Sequence, residues 1–348
     1  MFNKRCALLE EKLNNNEWIY IKNPENMYYY SSFSGEGALL ISKEERIIIT
    51  DFRYVYDAKR ASEYGYRVYD IAGGLENAPR KCPGLIYIEE DCVTVKGLNA
   101  LKKCFPEAKF MPEDFLKTPR RVKSEEEIRL IQKASSIAEA AFLKLLKIVS
   151  SEVSEKDLAN EFSYLVKKEG ADDISFDTIV ASGINSSMPH AVPTDKKIMP
   201  GDFITFDFGC KVGGYSSDMT RTVAYKYATD EMKNVYDIVL KAQKEGLKNA
   251  KAGMLCRDVD KSARDIIDSF GYKKEFGHAL GHGVGLFVHE EPSLSMRSDL
   301  VLEDNMVVTI EPGIYIEDKF GVRIEDLVVI NGENPQILTK FEKNLIII

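Results

Sequence analysis

Phe203-Ile204-Thr205-Phe206-Asp207-Phe208-Gly209 alternates strictly, placing Thr205 and Asp207 on one face of a strand and Ile204, Phe206 and Phe208 on the other. An acid flanked by phenylalanines is expected to be largely buried, and burial alone favours its neutral form. A bound cation reverses that balance and keeps the carboxylate ionised. Gly213-Gly214 supplies a hairpin turn. The chain then returns through Tyr215-Ser216-Ser217-Asp218-Met219-Thr220-Arg221-Thr222, which lets Asp207 and Asp218 face each other across paired strands. Taken alone, the stretch fits equally well a surface hairpin with incidental acids, or a buried aspartate paired with Arg221.

Further along the chain the pattern recurs. Val308-Thr309-Ile310-Glu311-Pro312-Gly313 again sets an acid two residues before a glycine, and Pro312 ends ladder pairing there. In Gly321-Val322-Arg323-Ile324-Glu325-Asp326, Arg323 and Glu325 share a face while Asp326 points away, so Glu325 is the candidate ligand and Arg323 its candidate partner. Helical periodicity precedes each acid pair, over 125–149 and 155–169 and then over 230–251 and 256–269. Ser124, with Glu127 three positions on, opens the first of these helices as a capping box. Strands are expected at Ile174–Ala181, Phe203–Phe208 and Val307–Ile310. The segment therefore reads as a duplicated α-α-β-β unit whose acids converge around a pseudo-two-fold axis.

Gly277-His278-Ala279-Leu280-Gly281-His282-Gly283-Val284-Gly285 carries two histidines at i,i+4, a spacing that on a helix makes a zinc pair. Its glycines argue against a helix, each costing about 1 kcal/mol relative to alanine. A backbone this permissive approaches a metal or substrate closely, so one histidine is expected to ligate and the other to stand behind it. The chain has only four histidines, and His278, His282 and His289 crowd this region. The fourth, His190, sits in the turn-like Met188-Pro189-His190-Ala191. Asp207, Asp218, His282, Glu311 and Glu325 together form a hard-oxygen set with one nitrogen. It suits two divalent ions that share bridging carboxylates and activate a water.

The chain's 348 residues exceed what one core usually holds. Residues 1–120 read as an α/β domain, with strands at Ala38–Ile41, Arg46–Thr50, Tyr66–Tyr69 and Leu85–Ile88 and helices at Tyr54–Tyr64 and Leu98–Lys103. The Pro- and charge-bearing stretch from Phe110 to Arg121 reads as a linker to a second domain, 121–348. The balance of 47 Lys+Arg against 55 Asp+Glu gives a net charge of −8 with no basic stripe, which argues against nucleic acid and anionic membranes as partners. No apolar run reaches the ~18 residues of a membrane span, and the N-terminus has no signal-peptide core. The six cysteines form no C-x-x-C pair. Reduced thiols in a cytoplasmic protein are expected.

These motifs resemble, in order, those of the pita-bread metallopeptidases, in the branch of Xaa-Pro aminopeptidases and Xaa-Pro dipeptidases (prolidases). The matching residues are Phe206-Asp207-Phe208-Gly209, Ser217-Asp218-Met219-Thr220-Arg221-Thr222, Gly281-His282-Gly283-Val284-Gly285, Glu311-Pro312-Gly313 and Arg323-Ile324-Glu325-Asp326. Met188-Pro189-His190-Ala191 and Val288-His289-Glu290 resemble the family's two substrate-side histidine motifs, and Thr50-Asp51-Phe52-Arg53-Tyr54 its auxiliary domain. The resemblance implies a creatinase-like N-terminal α/β domain followed by a pita-bread domain. It also implies two divalent metals, manganese first with cobalt or zinc as alternatives. Asp207 would chelate one ion, Asp218 and Glu325 would bridge the pair, and His282 and Glu311 would complete the set. A hydroxide between the ions would attack the carbonyl before proline, with Glu311 as proton shuttle. His289 would stabilise the oxyanion and His190 would hold the substrate, with His278 and Arg323 behind the ligands.

On this resemblance the expected substrates are peptides with proline in second position. Aminopeptidase action is preferred over strict dipeptidase action, because no arginine directly follows His289-Glu290-Glu291-Pro292 and Arg297 comes only five residues after the proline. A methionine aminopeptidase-like hydrolase and a non-catalytic pita-bread binding protein are the remaining alternatives. The family's N-terminal domain commonly mediates homodimerisation. Tyr28-Tyr29-Tyr30, Phe33 and Arg53 are candidates for that contact, with an aromatic core and a surface arginine as the alternative.

Overall fold

The computed structural model describes residues 2–71, 83–113 and 115–348. The chain divides into two compact units, separated between Pro119 and Arg120. The first unit is built on a six-stranded sheet in the spatial order Tyr66–Asp70, Arg46–Thr50, Gly37–Ile41, Glu17–Ile21, Leu85–Ile88, Lys109–Pro112. Its middle strands pair antiparallel and its outer ones parallel. Two of these strands depart from the sequence reading. Glu17–Ile21 is buried on both faces, so it carries no alternation to announce it. Lys109–Pro112 lies where a linker was expected; as an edge strand with proline at its end, it gives up no ladder bond.

The helix expected over Tyr54–Tyr64 is an α-helix only from Phe52 to Ala58, capped by Asp51, and continues as a 3-10 turn to Tyr64. Tyr29, Tyr30 and Phe33 are buried inside this unit, so they are core rather than docking residues. Arg53 is exposed and paired with Asp51 and Glu36.

In the second unit each half contributes two helices and then strands. Glu125–Leu145 and Glu155–Lys168 both open on capping boxes, made by Ser124 with Glu127 and by Ser154 with Asp157. They precede the three-stranded sheet of Met219–Ala224, Phe203–Phe208 and Ile179–Ser182. Asp230–Asn249 and Cys256–Ser269 precede a five-stranded sheet in which Gly281–Gly283 and Val307–Ile310 are neighbours. This is the anticipated α-α-β-β repeat.

Alternation along Phe203–Phe208 is realised as expected. The Phe206 and Phe208 rings pack on Phe142, with centroids at 5.2 and 4.6 Å, and Phe208 also meets Phe162 at 4.8 Å. Burying each such ring stabilises by about 1.5–3 kcal/mol. Gly213 and Gly214 have φ of 57° and 80°, both in the left-handed region that a type I′ hairpin turn requires.

Ile174–Ala181 is not one strand. Asp173–Ile174 pairs with Cys210 and Lys211, whereas Ile179–Ser182 pairs with the Asp207 strand. The partner chain bends at Gly209, where a Cβ would stand 1.9 Å from the Ser217 carbonyl oxygen. The segment between the two short strands leaves the ladder.

Candidate metal centre

Asp207 and Asp218 are brought together by the pairing of their strands, in which Thr220 lies opposite Asp207 and Thr222 opposite Thr205. Glu325 enters from the other half, between the strands Phe320–Arg323 and Asp326–Val329. Its carboxylate accepts a 2.7 Å hydrogen bond from the Thr220 hydroxyl. Glu311 follows Val307–Ile310, and His282 lies in the neighbouring strand Gly281–Gly283. That approach depends on Gly281, where a Cβ would fall 2.0 Å from the Thr309 carbonyl oxygen. All five side chains line one cavity of about 410 Å³, which His190, His278, His289 and Arg323 also border.

The donors are short of positive charge. Ligand atoms of Asp218, His282 and Glu325 lie within 4.8 Å of one another. Burial, reinforced by the Glu325 and Asp207 carboxylates, pushes Asp218 well above the usual carboxylate range. Burial, with Glu311 and Asp207, does the same to Glu325. Asp207 Oδ1 is buried without a hydrogen-bond partner among the described residues. His282 Nδ1 donates to the Gly283 carbonyl at 3.1 Å. Its Nε2 stands 3.3 Å from Glu311 Oε1 and 3.6 Å from Asp218 Oδ2; burial lowers the imidazole, but the hydrogen bond to Glu311 outweighs it and raises the ring above its ordinary value. Burial raises Glu311, but the hydrogen bond and charge of His282 outweigh it and hold the acid at about 2. Carboxylates crowded around one imidazole, two of them pushed toward their neutral form, are what a divalent cation satisfies by displacing the imidazole proton, so the residues fit such an ion.

Arg323 orders this set from behind. Its Nη2 donates to Asp207 Oδ2 at 2.6 Å and its Nε to Thr220 Oγ1 at 3.1 Å. Nη1 reaches the Tyr315 hydroxyl at 2.8 Å and the Pro189 carbonyl at 3.2 Å. His278 donates from Nδ1 to the Ala279 carbonyl at 2.8 Å, leaving Nε2 to accept from the Tyr315 hydroxyl at 3.0 Å. Both its ring nitrogens are thus spoken for by protein. His289 lies over His282, with ring centroids 4.3 Å apart, and His190 is exposed at the rim. Asp326 points away from Glu325, to Arg221 at 2.8 Å and Lys343 at 2.6 Å. Arg221 therefore pairs with Asp326 rather than with Asp207 or Asp218.

Sequence reasoning missed Tyr315, Thr220, Phe176, Asp177 and Ile179. Tyr315 carried a signal, as a lone hydroxyl in an apolar hairpin that must find a partner when buried. Thr220 also did, since it follows Asp218 by one turn of the strand alternation. Phe176, Asp177 and Ile179 line the cavity because the strand expected there breaks.

Residues 129–332 match metallopeptidase family M24, and residues 7–116 match the creatinase/prolidase N-terminal domain. The chain is 35% identical over 337 residues to the Xaa-Pro dipeptidase of Pyrococcus furiosus, an alignment covering 94% of each protein. The solved Xaa-Pro dipeptidase from Bacillus anthracis superimposes with a TM-score of 0.94 at 39% identity, covering 99% of both chains. The X-Pro aminopeptidase from Thermotoga maritima does so with a TM-score of 0.90 at 39% identity, covering 99% of this chain and all (100%) of the other. With that likeness running from the first unit through the carboxylate cluster, the chain belongs to metallopeptidase family M24 and is a metal-dependent exopeptidase.

Proposed function

We propose that this protein is a Xaa-Pro dipeptidase, a prolidase. The observation that carries the reading is its likeness, over nearly its whole length, to proteins named Xaa-Pro dipeptidase. That likeness outweighs the preference for an aminopeptidase drawn from the missing arginine. Aminopeptidase action remains the second reading, favoured by the Thermotoga maritima structure and by Arg297, which is exposed.

In this reading Asp207, Asp218, His282, Glu311 and Glu325 hold two divalent metals, manganese first. When bound, such ions lower the pKa of water and polarise a carbonyl, which is what amide hydrolysis at neutral pH needs. Glu311, kept ionised, takes the proton of the attacking water and returns it to the departing imide nitrogen. His289 stabilises the oxyanion, and His190 on the rim holds the substrate's terminus. Arg323 and His278, joined through Tyr315, keep Asp207 oriented. The scissile nitrogen before proline carries no N–H, so the cavity recognises ring shape instead of that donor. The 121–348 region is the catalytic domain and 1–120 an auxiliary one that supports a cytoplasmic homodimer.

The decisive measurement compares manganese-reconstituted enzyme on Xaa-Pro dipeptides and Xaa-Pro-Yaa tripeptides. Turnover confined to the dipeptides is expected. Efficient release of the first residue from the tripeptides would establish the aminopeptidase instead.

A further inference from the structure

Glu155 is fully buried at the start of the helix Glu155–Lys168 and is not among the residues lining the cavity. The hydrogen bonds its carboxylate accepts come from one segment. Oε1 accepts from the Ser182 N–H at 2.7 Å and the Ser182 hydroxyl at 2.8 Å. Oε2 accepts from the Thr194 N–H at 3.0 Å and the Thr194 hydroxyl at 2.7 Å. The Asn185 side-chain amide donates to both oxygens at 3.1 Å. Ser182 ends the strand Ile179–Ser182, and Thr194 lies on the way to Phe203–Phe208. One carboxylate therefore clamps both ends of the loop that carries His190.

The crown of that loop is seated on the opposite half of the unit. The Gly321 N–H donates to Ser186 Oγ at 2.9 Å, and Arg323 Nη1 donates to the Pro189 carbonyl at 3.2 Å. Burying a carboxylate is costly unless its lone pairs are filled, and charged hydrogen bonds are roughly twice as strong as neutral ones. Concentrating them on a single loop fixes that loop's path.

We propose that Glu155 is a positioning residue for His190: by closing the 182–194 loop it sets where the imidazole stands on the cavity rim. The proposal rests on the reading that His190 holds the substrate. Glu155→Gln keeps an oxygen for Ser182 but turns an amide N–H toward the Thr194 N–H, donor against donor, which releases one end of the clamp.

The expected result is a KM for Xaa-Pro raised roughly tenfold, the size of effect seen for coupled neighbours, with metal content by elemental analysis and kcat little changed. In a His190→Ala background E155Q should lower kcat/KM no further. The chain's four histidines allow each imidazole to be followed by NMR, and E155Q should displace the His190 signals while leaving those of His278 in place. An equal loss in both backgrounds, or unmoved His190 signals, overturns the proposal. Thr194→Val, at an exposed position, removes the hydroxyl that donates to Glu155 and accepts from the Lys196 N–H and the Asn185 amide, all within the same loop closure, and carries the same comparisons if E155Q does not fold. Should the parent enzyme cleave no Xaa-Pro peptide, the prolidase reading fails, and the NMR comparison alone decides the role of Glu155.

Discussion

Asp218 and Glu325 sit where burial and neighbouring carboxylates oppose their own ionisation. Metal-free protein holds that tension in its folded state, and replacing one acid by its isosteric amide relieves it. Metal-free D218N should therefore melt at a higher temperature than the metal-free parent, while manganese raises the Tm of the parent alone. Binding at 1,000 times Kd is worth about 4 kcal/mol. A carboxyl with a raised folded pKa holds its proton more tightly when folded. Its ionisation therefore weakens folding as pH climbs from about 4 through the raised value. The advantage of metal-free D218N should grow over that window; a parent that melts higher at pH 7 would refute the account. The five ligand candidates were legible because each sits beside a glycine or arginine that marks a local constraint. The partnership of Thr220, Tyr315 and Arg323 was not, because it depends on strands about a hundred residues apart coming side by side, as the 3.0 Å bond from the Thr222 hydroxyl to the Arg323 carbonyl shows.

Among the elements, the strand Phe203–Phe208 carries the site on one face and is anchored by its rings on the other. Phe208→Ala removes the ring that touches both Phe142 and Phe162. It should cost about 3–5 kcal/mol in urea unfolding and weaken metal retention, because Asp207 is its neighbour. A loss of stability with full metal content would separate the two faces. Gly209→Ala forces a methyl against the Ser217 carbonyl, and the strands bearing Asp207 and Asp218 must part. A cost of roughly 1–3 kcal/mol or more is expected, with metal binding lost. The four long helices of the second unit were legible to within about four residues, and Cys256–Ser269 begins and ends where its periodicity does. The segment 174–181 was not, because its composition is β-like throughout while the chain it pairs with turns away at Gly209. No local pattern records a bend in the partner strand.

At the scale of the whole chain, distant segments are tied by buried charge. Glu290 meets Lys123 at 2.9 Å and also pairs with Arg120, with side chains only 9%, 1% and 9% exposed. Burial would raise the Glu290 carboxyl, yet Lys123 and Arg120 outweigh it and hold it below its ordinary range. Glu290→Gln leaves two buried cations short of their partner and should cost roughly 3–5 kcal/mol. Because the pKa is depressed, that stability is present above about 4.3 and disappears as pH falls through the folded value. The parent and E290Q should therefore converge in acid; a constant difference across pH would point to packing alone. The four-residue tie between Asp326, Arg221 and the carbonyls of Phe341 and Glu342 has a consequence in time. The first unit, residues 1–119, is compact by itself and can fold before the second has been made. The carboxylate cluster gains its backing only after residues 341–343 have been made, a delay on the order of tens of seconds at ordinary rates of synthesis. A nascent chain therefore holds a folded first unit well before its carboxylates have their backing.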